Sequence, residues 1–542
     1  MSLAAAALCA LLIVGPAPTS YPAPPDTLLR FGVPRGWTSD ALRLRILDGE
    51  AAAPALLVRS HSDTPTGATT DRSSFVGPLS IRLLAPEASA AVNSNLPLSL
   101  NEGSLWAGRG VSGHVRAGAH LSFRALTLVL APELWRSENR PFQTFSYPEN
   151  DTQQRLRHPL ASPFHYPPHS ADLPQRLGTE VVFAAELGES SVSVHAGPLR
   201  VGLGTERLFW GPGLRNQLVM SGHGPGFPHA FVQTTAPVAT PLGTVHARWI
   251  LGQLEESPFF DFDPENDFRS LSGIVAVLNP PFEPNLSLGI ARAVYAPADG
   301  VGDLAAATFD FLRPVGAVAS VAGDTLLAPG RDQLTSFFIH WTFPADGFEV
   351  WGEWGRSEEP RSLRDFLALP QSSRGYTLGG RYVSHPSQRG RVSFEAELTS
   401  LEPSQAFRVR QHGEWYTSRR VPQGYTHRGR VLGAAIGPSG SSQWLALDWL
   451  GQRWQLGAFG TRIRWENEAL YSYAREFRRA DLTLLGGVRA FGRLGPLEVQ
   501  ASYAASVRLN YMFQTTPLSM SEDRGVDIPN RVGRLTLRYL GR

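Results

Sequence analysis

Leu497–Phe513 reads LEVQASYAASVRLNYMF, and every odd position from Leu497 through Val499, Ala501, Tyr503, Ala505, Val507, Leu509 and Tyr511 to Phe513 is apolar. The even positions are mostly polar: Glu498, Gln500, Ser502, Ser506, Arg508 and Asn510. Side chains on a strand alternate between faces, so this is a ribbon with one apolar and one wet face. A helix, with a period near 3.6, would scatter the charges round its circumference. The run exceeds the usual soluble strand of about 5–6 residues and passes the ~9–11 that cross a bilayer with tilt. The stretch predicts an all-β fold, a transmembrane antiparallel β-barrel.

The same alternation recurs as hairpins. Phe337, Ile339, Trp341 and Phe343 alternate with Ser336, His340 and Thr342; Pro344-Ala345-Asp346-Gly347 turns the chain; Phe348, Val350 and Trp354 resume. A charged, Pro-containing stretch from Gly355 to Arg374 follows, then a second pair at 375–384 and 392–398 around His385-Pro386-Ser387-Gln388. At the C-terminus, Arg493–Pro496 is a short turn, Gln514–Asn530 a long loop, and Leu535, Leu537 and Tyr539 mark a final strand. Short turns at one end and long loops at the other are the habit of outer-membrane barrels, with the short turns periplasmic. Earlier strands are readable around Leu121-Phe123-Ala125, Val192-Val194-Ala196 and Leu199-Val201-Leu203. The barrel is therefore expected over 112–542. The roughly 430 residues there, at ~10 per strand plus turns and loops of similar total length, give roughly 16–20 strands. Residues 21–111 are Pro-rich and expected to form a small periplasmic or lumen-side region. Within it, Ser39 or Asp40 could cap a helix running to Asp48, although Leu42, Leu44 and Ile46 alternate with Arg43 and Arg45 as in a strand; a helical element is expected.

Leu3–Val14 is apolar and too short to span a membrane as a helix, but it suits the core of a secretory signal, expected over residues 1–20. Cys9, the single cysteine, lies within it and is expected to leave with it. A mean hydropathy of −0.15 would suit a soluble protein, yet membrane barrels dilute their signal because alternate residues face an aqueous lumen. All 50 basic residues are Arg. Without Lys there is no Walker phosphate loop, Schiff-base chemistry or Ser-x-x-Lys hydrolase. Without Cys in the mature chain there is no thiol nucleophile, disulfide, iron–sulfur site or cysteinyl zinc site. A net charge of +2 speaks against nucleic acid as a partner. Neither a Gly-x-Ser-x-Gly elbow nor a His-Glu-x-x-His helix occurs, so no catalytic residues are expected and the protein reads as a non-enzyme.

One segment departs from alternation. Leu208–Thr234 reads LFWGPGLRNQLVMSGHGPGFPHAFVQT, with Gly and Pro too dense for regular structure. It is a shaped loop. Two readings follow: an inward fold that plugs or braces the lumen, which is favoured because Gly and Pro first report backbone geometry, or a ligand site. For the second, Trp210 offers a sugar-stacking face, Arg215 and Asn216 planar donors, and His223 and His229 polar groups.

The string FWGPGLRNQLVMSGHGPGFPH at 209–229 resembles the signature of the Wzi-like capsule-assembly family of outer-membrane proteins. Asn101-Glu102-Gly103-Ser104-Leu105-Trp106-Ala107-Gly108-Arg109-Gly110 is similar to that family's NDG-x-LW-x-G-x-G segment, and Leu130-Ala131-Pro132-Glu133-Leu134 followed by Asn139 matches further. The family pattern often carries Asn-Asn-Ala where this chain has Gly222-His223-Gly224. The resemblance implies a barrel of 18 strands with a helical N-terminal region on the periplasmic side. It also implies a role in holding capsular or other surface polysaccharide outside the cell. Arg-rich loops at 356–374 and 408–428 would supply forked donors for acidic sugars. The expected partners are that polysaccharide and the lipid and lipopolysaccharide of the outer membrane, for a monomer without cofactors; a passive porin or export channel is the alternative.

Two further clusters carry metal-ligating residue types. Asp261-Phe262-Asp263-Pro264-Glu265-Asn266-Asp267 resembles the start of a calcium loop, but Asn266 stands where Gly is required and Ser272 where a bidentate Glu is required, so a solvated loop is expected. His165 and His169 have a spacing able to ligate a metal, but nothing acidic lies nearby in sequence, and no metal site is expected.

Overall fold

The computed structural model describes residues 38–48, 54–60, 69–76, 79–145, 157–165, 169–315, 330–360, 362–405, 413–451, 453–471, 479–519 and 522–540. The expected signal segment lies outside these residues.

Eighteen antiparallel strands close into one barrel. In chain order they are β1 (Leu79–Asn93), β2 (Gly110–Phe123), β3 (Leu126–Leu130 continued by Glu133–Ser137), β4 (Val182–Glu186 with Ser191–Ala196), β5 (Leu199–Gly204) and β6 (His229–Thr234 with Val238–Thr240). Then follow β7 (Gly243–Glu255), β8 (Phe268–Asn279), β9 (Leu286–Pro297), β10 (Asp332–Phe343), β11 (Phe348–Arg356) and β12 (Arg374–Val383). The last are β13 (Arg391–Ser400), β14 (Ser441–Leu450), β15 (Trp454–Arg464), β16 (Leu482–Leu494), β17 (Leu497–Leu509) and β18 (Ile528–Tyr539). β18 pairs with β1 from Val532↔Asn93 to Arg538↔Glu87, which closes the ring.

The sheet begins earlier than the boundary at 112 expected from sequence. β1, LSIRLLAPEASAAVN, hides its alternation behind Pro86 and a run of alanines. Its register with β2 shifts between Leu84 and Glu87, where a bulge accommodates the proline that cannot donate to the ladder. Outward parity switches across that bulge: Leu83 is exposed before it and Val92 after it.

The two diagnostic stretches fold as read, with one correction. In the β10–β11 hairpin, Phe337 and Ile339 are exposed, while His340 is buried and hydrogen-bonded to Glu349 at 2.7 Å. Gly347 takes the left-handed conformation at the turn (φ 65°). In β17, Tyr503 points out at 52% exposure, whereas Glu498 and Ala504 are buried toward the lumen. The strand stops at Leu509, however, and not at Phe513. Asn510, Met512 and Phe513 all have positive φ, and Tyr511 and Met512 tuck inward beside Leu96 and Ile528. The last apolar residues of the alternation cap a loop cluster and do not continue the lipid-facing row.

The lumen is a packed core on one side. Many inward residues of β6–β10 are apolar: Phe231, Ile250, Leu254, Leu271, Val275, Tyr295, Leu334 and Phe338 are all nearly inaccessible. Against them lie Leu42, Ile46, Leu56 and Leu57 of two helices, α1 (Thr38–Leu47) and α2 (Pro54–Leu57), and Trp210, Leu218, Val431 and Leu432 of two inward loops. The expected helical element is α1. It has no wet face, since Leu44 and Leu47 on its other side pack on Val383 and Leu450, which is why its pattern could be mistaken for a strand. Arg43 of α1 donates to Glu349 of β11 (3.1 Å) and to the carbonyl of Pro212, and lies 4.6 Å over the Trp351 ring.

Candidate functional site

The loop between β5 and β6, residues 205–228, enters the barrel. A short strand at Leu208–Trp210 pairs with Val58–Ser60, and the Trp210 N–H donates to Met220 O at 3.1 Å. Trp210 is wholly buried, its ring lying on Gly273 of β8, where a Cβ would come within 2.8 Å of the indole. Further along, the consecutive N–H groups of Leu214, Arg215 and Asn216 all donate to the carboxylate of Glu397 on β13, the latter two at 2.9 and 3.0 Å. Trp351 Nε1 donates to the same carboxylate at 3.2 Å, and Leu218 N–H donates to Glu353 at 3.1 Å. Wall carboxylates thus satisfy the loop backbone where water would otherwise have to, which fixes an irregular segment inside a lumen.

The five residues singled out from sequence are spread through this assembly. Trp210 is packed away. Arg215 lies 4.3 Å over the Trp444 ring of β14, and Asn216 donates to Ser442 Oγ at 3.1 Å. His229 is a brace. Its Nδ1 bonds the carbonyl of Phe227 at 2.8 Å and must donate, so Nε2 accepts from Arg248 Nη2 at 3.0 Å, with Arg248 paired to Glu206 at 2.7 Å. His223, like Arg215, is only partly buried. Its Nδ1 accepts the Asn101 N–H at 3.3 Å, and burial together with nearby Arg430 holds the imidazole well below its usual pKa.

His223 lines a cavity of about 260 Å³ among the long loops. Its walls include the aromatic rings of Trp106, Phe142, Phe164, Trp465 and Tyr511, with Arg430, Arg508 and Glu466. Trp465 is anchored by its Nε1 to Thr483 Oγ1 at 2.9 Å. Arg508 stands 5.3 Å from the Trp465 ring and 4.8 Å from that of Tyr511, its fork donating twice to Asp481 at 2.7 Å. Arg430 spends its fork on Gly103 O, Leu105 O and Ser99 Oγ at 2.7–2.9 Å. The cavity therefore offers aromatic faces backed by committed guanidinium groups. Sequence reasoning missed Trp465, Tyr511 and Phe164, which sit on separate loops and carry no motif.

The sequence motifs converge beneath this cavity. Asn101 Nδ2 donates to Arg215 O at 2.9 Å, Gly103 N–H to Gly222 O at 3.0 Å, and Trp106 Nε1 to Asn139 Oδ1 at 3.2 Å. Gly103 has φ 62°, and a Cβ there would strike the Arg207 guanidinium, so glycine is required.

Two other expectations can be placed. In the acidic segment, Asp261 accepts the Asp263 N–H and Asp263 accepts the Glu265 N–H, so these carboxylates cap their own solvated loop. Three of the loop arginines are engaged within the protein: Arg428 donates to Glu255 at 2.6 Å, Arg420 to Val315 O at 2.9 Å, and Arg356 to Glu358 O. Arg408 lies outside the described residues.

No protein-family model matches the sequence, and no curated protein matches it. Among solved structures, the chain is similar to Wzi of Escherichia coli, an outer-membrane protein involved in group 1 capsule assembly and a carbohydrate-binding β-barrel. The TM-score is 0.52 at 11% identity, over 83% of each chain. It also matches OccK2 (OpdF) of Pseudomonas aeruginosa (TM-score 0.39, 10% identity, 84% of this chain and 96% of that one). A BenF-like porin of Pseudomonas fluorescens matches too (TM-score 0.39, 9% identity, 86% and 100%). At these identities the likeness bears on the fold, which is that of an outer-membrane barrel. The belt of exposed apolar side chains, Leu447, Leu456, Val488 and Tyr503 among them, is a lipid-facing one, and the chain resides in the outer membrane.

Proposed function

We propose that this protein is a non-enzymatic, monomeric surface binder of the Wzi type, which retains exported capsular or related polysaccharide at the outer mouth of its barrel. The observation that carries this reading is the pairing of a lumen packed along one side with an aromatic cavity at the long-loop end. Among the described residues, the loop at 205–228, α1 and the loop between β13 and β14 pack across the lumen from β8 to β13. A solute channel would need that space open, whereas a binder can use the plug as the floor of its site. Sugars stack on aromatic faces, and the part-exposed rings of Trp106 and Trp465 present such faces. At about 260 Å³ the cavity lies just under the ~300–1,000 Å³ of typical ligand pockets, which suits a short stretch of a polymer.

Deleting the gene in the producing cell is expected to lower cell-bound polysaccharide and raise the amount shed into the medium. Purified protein is expected to stay on immobilised polysaccharide from that cell and to pass no current in a planar bilayer. Large steady conductance without retention would overturn the reading in favour of a porin or export channel.

A further inference from the structure

His165 was a weak metal candidate in sequence because nothing acidic lies near it. The fold supplies the acids from far away. His165 Nε2 lies 3.0 Å from Glu466 Oε2 and 3.7 Å from Glu414 Oε2, and one ligand atom from each of the three falls within 4.8 Å of the others. Two ligands at about 2.0–2.2 Å from a tetrahedral zinc stand ~3.3 Å apart, and the two observed separations bracket that value.

Two features distinguish this cluster from an ordinary acidic patch. Glu414 is only 8% exposed and its Oε2, aimed at His165, is buried with no hydrogen-bond partner. Glu468 lies beside it, its carboxyl group in direct contact with that of Glu414. The nearest guanidinium, that of Arg508, is spent on Asp481. Two carboxylates, those of Glu414 and Glu466, therefore face one imidazole, with a third, Glu468, beside Glu414.

We infer that His165, Glu414 and Glu466, with Glu468 beside Glu414, form a binding site for one divalent transition cation, of the zinc or manganese class. An imidazole with carboxylates suits those ions, whereas Ca²⁺ prefers an all-oxygen shell. The ion would join three loops, those carrying His165, Glu414 and the Glu466–Glu468 pair. Because Glu466 also lines the aromatic cavity, the site would set the shape of one of its walls.

The test uses the full-length protein in detergent, stripped with a chelator and dialysed against Zn²⁺, Mn²⁺ or Ca²⁺, with metal counted by mass spectrometry. About one equivalent of Zn²⁺ or Mn²⁺ per chain is expected, weakened by more than tenfold in Glu414→Gln and Glu468→Gln. No retained Zn²⁺ or Mn²⁺, a preference for Ca²⁺ over both, or unchanged affinity in folded variants would overturn the inference. Should the variants lose the heat-modifiable mobility of a folded barrel, X-ray absorption of the zinc-loaded wild type decides. A shell of one nitrogen with oxygens at about 2.0 Å supports the site, and any other protein-ligand set overturns it.

Discussion

Trp210→Ala separates a structural plug from a sugar platform. The indole is wholly buried on Gly273 and within the cluster that joins α1, α2 and the wall of β8. Trp buries about 150–250 Å², which at ~25 cal/mol/Å² corresponds to about 4–6 kcal/mol as an upper bound. Measured truncations of this kind fall at about 3–5 kcal/mol. The Nε1 of Trp210 has no hydrogen-bond partner, so its removal costs no bond and relieves a buried donor worth about 1–3 kcal/mol. The net expectation is a loss of about 2–3 kcal/mol, felt in docking of the loop more than in the barrel ladder. Denaturant titration of the refolded barrel should show it, and amide exchange should quicken at 208–220. Gly213→Val attacks the same loop through its backbone, since a Cβ there meets Asn216 O at 2.6 Å. It should produce current steps in a bilayer where the wild type gives none. A Trp210→Ala protein with unchanged stability and exchange that no longer retains polysaccharide would refute the packing argument and restore Trp210 as a binding residue.

Three further outcomes are expected. Trp465→Ala should leave the fold intact but weaken retention on immobilised polysaccharide by about 3–10-fold, the equivalent of the ~0.5–1.5 kcal/mol of an aromatic contact; unchanged retention would remove the cavity from the site. Ala505→Arg on the lipid face of β17 should destabilise by about 2–4 kcal/mol, while Ser502→Glu, set between Arg489 and Arg534 on the lumen side, should be mild; equal losses in denaturant titrations would contradict the facing. Burial pushes the Glu256 carboxyl up to about 8, with Gln423 donating to it and Asp261 repelling it. The folded loop then keeps a proton that the opened loop has lost above about 4.5, so local stability should fall as pH rises from about 4.5 to about 8. Protection factors at 256–267, which remove the intrinsic rise of exchange with pH, should fall over that window, and Glu256→Gln should abolish the fall.

What could be read from sequence divides along physical lines. Strands β10, β11 and β17 were legible because lipid on one face and polar groups on the other impose a strict period of two. β8, with LSGIVAVL, was not, because its inner face meets the apolar plug and both faces are greasy. α1 was ambiguous for the same cause, being surrounded by protein. The Gly/Pro loop announced its irregular shape, and its inward course agrees with that reading. Which of its polar residues face open space could not be read, since that depends on partners such as Glu353 and Glu397, 135 to 183 residues further along. The cavity and the His165 cluster were invisible for the same reason: both are assembled by loop ends that only the closure of the ring brings together. This has a consequence for where function can vary. The motif residues at 101–110 and 209–229 mostly bond to one another and to the wall, so they specify the plug. Under the proposed function, ligand choice would rest with Trp465, Phe164 and their neighbours on the long loops outside that floor. Exchanging those loops between related barrels should therefore transfer polysaccharide preference while the plug stays docked.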